Sequence, residues 1–183
     1  MKRIMWAWLI GILVLFSVAF SFGQDASLSI GSKESSETTP NSGVYNMMSA
    51  PVAIFYGYSV SQTIYTKEEL QKLSNKQITA LSYTFFSAPT KDFNHTVEVY
   101  IGYTDLNEFP GDPNLHFLSV GAMTKVAAIQ GVNYKGQTVL TLPLSSPFFY
   151  DGTKNLVVCV SAPVKSSAWE NKEFYATDTS SLN

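Results

Sequence analysis

The sequence predicts an all-β protein, an antiparallel β-sandwich of jelly-roll type with one short helix near residues 66–73. Three observations carry this. Several runs alternate apolar and polar side chains with period two, the mark of half-buried antiparallel strands. Clusters of Gly, Pro, Asp and Asn separate these runs. Helical patterning appears once only, so helices do not alternate with strands as an α/β enzyme fold requires. A chain of 183 residues is enough for one domain with one core.

The N-terminus reads as an address. Lys2 and Arg3 precede an uncharged run from Met5 to Phe20, and Ser21-Phe22-Gly23 places small residues before a cut at Gln24. That is the layout of a secretory signal peptide over residues 1–23, preferred to an uncleaved anchor because a cut site is present and a polar stretch follows. Residues 24–43 are rich in Ser, Thr and Gly and form a flexible polar lead-in or an edge segment. Residues 44–183 form the β-sandwich module.

Within the module, Thr79 to Phe85 places Leu81, Tyr83 and Phe85 on one face and Ser82 and Thr84 on the other. Thr96 to Tyr103 turns Val97, Val99, Ile101 and Tyr103 inward, with Thr96, Glu98 and Tyr100 outward. Thr138 to Leu142 is a shorter alternating run, and Leu156 to Val160 is apolar on both faces, as a central strand must be. The helix expectation rests on Thr66-Lys67-Glu68-Glu69, a capping box with Tyr65 and Leu70 at the two staple positions. Pro110-Gly111-Asp112-Pro113 and Asp151-Gly152 supply turns.

Charge and composition exclude several classes. Beyond residue 23 the chain holds ten lysines, no arginine and fourteen acidic residues, a net of −4, which is unlike a nucleic-acid binder. One cysteine excludes an intrachain disulfide framework or a cysteine-based zinc site. Cys159 lies among aliphatic residues, the setting of an inert core thiol. His95 and His116 flank turns with no nucleophile motif to partner them, so exposed turn roles are preferred to general-base roles. Asn94-His95-Thr96 matches a glycosylation sequon, meaningful only in a eukaryotic secretory pathway. No carboxylate pair stands out as the acid and base of a glycosidase.

Two groups remain as candidates. Asp105, Asn107 and Asp112, with Glu108 and Asn114 nearby, gather oxygen ligands of the kind calcium takes. The spacing matches no EF-hand loop, and the solvated reading of this loop is preferred, so no cofactor is required. The flat amphipathic rings of Trp169, Tyr175 and Tyr103 suit stacking on sugar rings. Trp169 stands first among them because it lies in a polar stretch, Ser166 to Asn171.

Four segments also resemble a known module. Tyr58 to Leu70 contains Ser61-Gln62-Thr63-Ile64-Tyr65 and Glu68-Glu69, similar to its "Ser-Gln-x-Ile-Tyr … Glu-Glu" opening. Ile78 to Phe85 and Val99-Tyr100-Ile101-Gly102-Tyr103-Thr104-Asp105 resemble two of its strands. Pro147-Phe148-Phe149-Tyr150-Asp151-Gly152-Thr153-Lys154-Asn155-Leu156 resembles its "Pro-Phe-x-Tyr-Asp-Gly-x-x-Asn-Leu" signature. These belong to jelly-roll β-sandwich modules of exported surface proteins of gut and oral anaerobes, similar to gingipain-type cleaved-adhesin domains. The resemblance covers Tyr45 to about Tyr175 and implies a non-catalytic adhesion or recognition unit outside the cell. Read from physics alone, Asp151-Gly152 makes a tight turn, Asn155 bonds local backbone, and Gln62 ties down the start of the helix. Members of the group usually continue into a sorting domain, whereas this sequence stops at Asn183, so the expectation is either a stand-alone module or a fragment lacking a final strand, the second leaving an open sheet edge.

The expectation is an exported, non-enzymatic adhesion or glycan-recognition module, secreted or at the cell surface, with an extracellular glycan or surface protein as partner. No membrane span is expected once the signal is removed. The alternatives are a structural or assembly component of a larger surface complex and, third, a glycan-degrading enzyme.

Overall fold

The computed structural model describes residues 27–30, 51, 52, 58–85, 87–92, 94–110, 117–163 and 174. Six strands result: β1 (Ser59–Tyr65), β2 (Lys76–Thr84), β3 (Asn94–Thr104), β4 (Thr124–Asn133), β5 (Val139–Tyr150) and β6 (Asn155–Ala162). All pairings are antiparallel. One sheet has the order β1-β6-β3-β4 and the other pairs β2 with β5. The protein is therefore an all-β sandwich.

The inner faces of both sheets meet in one core. β3 contributes Val97, Val99 and Ile101, β6 contributes Leu156, Val158 and Val160, and β5 contributes Leu140, Leu142, Leu144, Phe148 and Tyr150. β2 adds Ile78, Leu81 and Tyr83, which are partly buried. Ile78 and Leu81 are three residues apart, yet both pack on the core. A register shift between Ile78 and Ala80 makes this fit: the pairing slips by an odd number of residues on β5, so that Ile78 stands opposite Phe148 and Leu81 opposite Leu142, both core residues. The sheets also join at their margins, where Ser145 Oγ donates to the Val126 carbonyl at 3.0 Å. Tyr65 and Tyr83 lie close together at the other margin, and burial raises the pKa of both. Leu28, from the polar lead-in, packs partly against the same core.

β6 is apolar on both faces for a visible reason. Val157 and Cys159 point away from the core, yet both are buried. Two residues of the 117–123 segment meet this outer face, Leu118 at Gln62 and Met123 at Gly102, the register partners of Cys159 and Val157. The Gln62 side chain, opposite Cys159 in the register, clamps the Leu118 backbone from both sides. Its Nε2 donates to the Leu118 carbonyl at 2.7 Å, and the Leu118 N–H donates to its Oε1 at 2.8 Å. At β3 the same segment meets Gly102, where a Cβ would come within 3.0 Å of Met123 Cγ. Gln62 thus fastens this segment, not the start of the helix.

The expected helix is only partly formed. The capping box is present: the Thr66 N–H donates to Glu69 Oε2 at 2.8 Å, and the Glu69 N–H donates back to Thr66 Oγ1 at 3.3 Å. Leu70 is buried as the staple predicts. One α-type bond, from the Leu70 N–H to the Thr66 carbonyl, is followed by a 3₁₀ turn over Gln71–Leu73. Asn75 then takes a left-handed φ of 59° and the chain enters β2. A cap can start a helix, but a span this short between two strands leaves no room to propagate it.

Candidate functional site

One end of the sandwich gathers three connections: residues 66–75 after β1, residues 105–110 after β3, and residues 151–154 between β5 and β6. Asn155 opens β6 at their junction and is itself buried. Its Oδ1 accepts from the Lys67 N–H at 2.8 Å. Its Nδ2 donates to the Leu106 carbonyl at 2.9 Å and to Asn107 Oδ1 at 2.8 Å. A side-chain amide carries one acceptor oxygen and two donor hydrogens, so both hydrogens are used and the buried group is satisfied. Asn155 therefore joins two distant loops across the sheet, a correction to the local-backbone role expected from the sequence.

The β5–β6 turn is fixed by its own chemistry. Asp151 Oδ1 accepts from both the N–H and the hydroxyl of Thr153, each at 2.8 Å. The Thr153 N–H, more than any other group, holds the Asp151 carboxyl below its ordinary pKa. Gly152 adopts φ 80°, and a Cβ there would lie 2.0 Å from Ser74 Oγ. Only glycine allows both the backbone angle and this approach to the neighbouring loop. Ser74 Oγ donates to the Asp151 carbonyl at 3.4 Å.

Tyr103 stands at the end of β3 and is 40% exposed. Its hydroxyl donates to the Phe149 carbonyl at 2.9 Å and accepts from the Asp151 N–H at 3.1 Å. Its ring stacks near Tyr150, with centroids 6.2 Å apart, and tilts against Phe148 at 5.5 Å. The hydroxyl is thus committed to tying β3 to β5, while part of the ring remains open to solvent. Two further large apolar side chains at this end are exposed, Phe149 at 53% and Leu106 at 37%. Neither stands out in the sequence, since Phe149 sits in an apolar run and Leu106 between polar neighbours.

The expected site residues fall as follows. Tyr103 lies at the loop end. Asp105 Oδ2 faces Lys154 Nζ at 2.8 Å, and Asn107 Oδ1 receives the Asn155 amide. A cation at this pair would have to compete with the Lys154 ammonium. Among the described residues no three His, Cys, Asp or Glu side chains gather as a metal group would need. Asp112, Trp169, Tyr175 and His116 lie outside the described residues, as does the side chain of His95. Cys159 is fully buried and its thiol pKa is raised by that burial, the environment of an unreactive thiol. Among the described residues no helix is long and apolar enough to cross a membrane.

Comparison with protein-family models, with curated proteins and with solved structures returns no match to this chain.

Proposed function

We propose that the protein is an exported, non-catalytic adhesion or glycan-recognition module that binds at the loop end of the sandwich. The observation that carries the reading is the loop end itself. Three connections are held by the buried Asn155 and by Gly152, and they surround the half-open ring of Tyr103. A surface ordered before binding loses little conformational freedom on contact, and an exposed aromatic ring among hydroxyls and charges suits the apolar face of a sugar. The signal-like N-terminus and the resemblance to exported adhesin modules support the same reading.

The test is binding of residues 24–183 to a glycan array, with calcium and with chelator. Specific binding that weakens about tenfold in Tyr103→Ala, the equivalent of about 1.4 kcal/mol, supports the loop end. Tyr103→Phe, which keeps the ring, is expected to bind as the parent does. Loss in Trp169→Ala alone moves the site to that residue, and loss with chelator alone moves it to Asp105 and its neighbours. A blank array with a folded monomer sinks the glycan reading. The assembly reading, pairing through a strand edge, has one observation behind it: among the described residues β2 has β5 as its single full-length neighbour.

A further inference from the structure

Asn155 decides which way a neighbouring side-chain amide faces. A backbone N–H can only donate and a backbone carbonyl can only accept. The Lys67 N–H therefore fixes the Asn155 oxygen on its side, and the Leu106 carbonyl fixes the Asn155 nitrogen on the other. The Asn107 atom that meets this nitrogen at 2.8 Å has to be an acceptor, its Oδ1. Asn107 is exposed, so its Nδ2 faces away from the buried residue that orients it. Two outward N–H donors thus stand at the loop end in a preset direction. The backbone beside them is held too. The Leu106 N–H donates to Thr104 Oγ1 at 3.1 Å, and the Leu106 carbonyl serves Asn155. An amide nitrogen offers protons and not a lone pair, so Asn107 suits a ligand oxygen better than a cation.

The neighbours narrow the kind of oxygen. Asp105 and Glu108 flank this amide with exposed carboxylates, and the Lys154 ammonium is already engaged by Asp105 at 2.8 Å. A carboxylate or sulfate on the ligand would meet like charge there, which disfavours an anionic sugar. Leu106, directly before Asn107, is 37% exposed and sets an apolar surface beside the donors. A neutral sugar substituent that joins an acceptor oxygen to a methyl group is the acetamido group. We propose that the loop end recognises N-acetylated hexosamines, with Asn107 Nδ2 donating to the acetamido carbonyl and Leu106 meeting its methyl. The apolar face of the sugar ring lies on Tyr103. This inference rests on the loop end being the glycan-binding surface.

The test is titration of residues 24–183 with N-acetylglucosamine and N-acetylgalactosamine oligosaccharides, each against the plain hexose oligosaccharide of the same linkage. The acetylated sugars are expected to bind about tenfold tighter, the worth of one well-placed hydrogen bond and a buried methyl. Asn107→Asp keeps an oxygen for the Asn155 amide and replaces the outward donors by an acceptor. Its unfolding midpoint is expected to match the parent's, and its preference for acetylated sugars to vanish. Leu106→Ala leaves the backbone carbonyl in place and is expected to reduce the preference about threefold. Equal binding of acetylated and plain sugars by the parent overturns the inference, and so does an Asn107→Asp variant that keeps the preference. If Tyr103→Ala still abolishes that binding, the loop end stands as the recognition surface and only the acetamido assignment falls. A folded parent that binds no glycan sinks both.

Discussion

The two ends of the sandwich use the same kinds of bonds in different surroundings. At the loop end, Asn155 makes three hydrogen bonds from a buried position. At the opposite end, Asp92 pairs with Lys135 at 2.6 Å and accepts from Asn133 Nδ2 at 3.2 Å, all exposed to water. Gln137 Nε2 donates to the Asn133 carbonyl at 2.7 Å, also in water. Counted as bonds, the ends look alike. Water decides the difference, since a solvated group that loses its partner finds another, and a buried one does not. The loop end is therefore expected to be rigid and intolerant of change, and the opposite end permissive.

The sharpest way to break this contrast is Asn155→Ala. It strands the Lys67 N–H and the Leu106 carbonyl in a partly buried junction, and the expected loss is about 3 kcal/mol in urea unfolding. Midpoints that hardly move would show that water enters the junction and that the two ends are equivalent. Gly152→Ala comes next, at about 2 kcal/mol, because the added Cβ meets Ser74 and the backbone angle is unfavourable. Tyr103→Phe removes one hydroxyl that serves both Phe149 and Asp151, for about 1 kcal/mol with the core ring retained.

Asp92→Asn carries the smallest expected effect. The hydrogen bond from Lys135 lowers the Asp92 pKa, so whatever the pair contributes is present above the ordinary carboxylate range. It is lost as pH falls through the depressed value. Unfolding midpoints of parent and variant are expected to agree within error at pH 7, and any residual difference to vanish once the pH is below the depressed Asp92 value. A large shift at pH 7 would make the opposite end as consequential as the loop end.

How much could be read from the sequence depended on whether a local pattern carried the feature. β3 and β6 were legible because Val97, Val99 and Ile101 alternate strictly and Leu156 to Val160 is apolar throughout. The full length of β5 was hidden by Pro143 and Pro147, which read as breakers. Both lie on the outward parity of a strand with one neighbour among the described residues, where a missing N–H costs little, and Leu140 to Tyr150 keeps period two around them. β4 gave no alternation because Val126 and Ala127 are both buried, a consequence of register shifts against β3. The capping box was local and formed, whereas the helix beyond it depended on chain length between strands. The partners of Asn155 and Gln62 lie 48 to 88 residues away, and no local spacing encodes them. The one available signal was an amide placed at the mouth of a doubly apolar strand, which had to find partners somewhere.

The Gln62 clamp has a practical corollary. The segment it fastens is held at Gln62, the register partner of the chain's single, buried thiol, so Cys159 works as a gauge of local opening. Its rate of labelling by a thiol reagent reads how often residues 117–123 lift, separately from global unfolding. Gln62→Leu, which fills the space but cannot hold Leu118, would turn that gauge up while leaving the core signal in place.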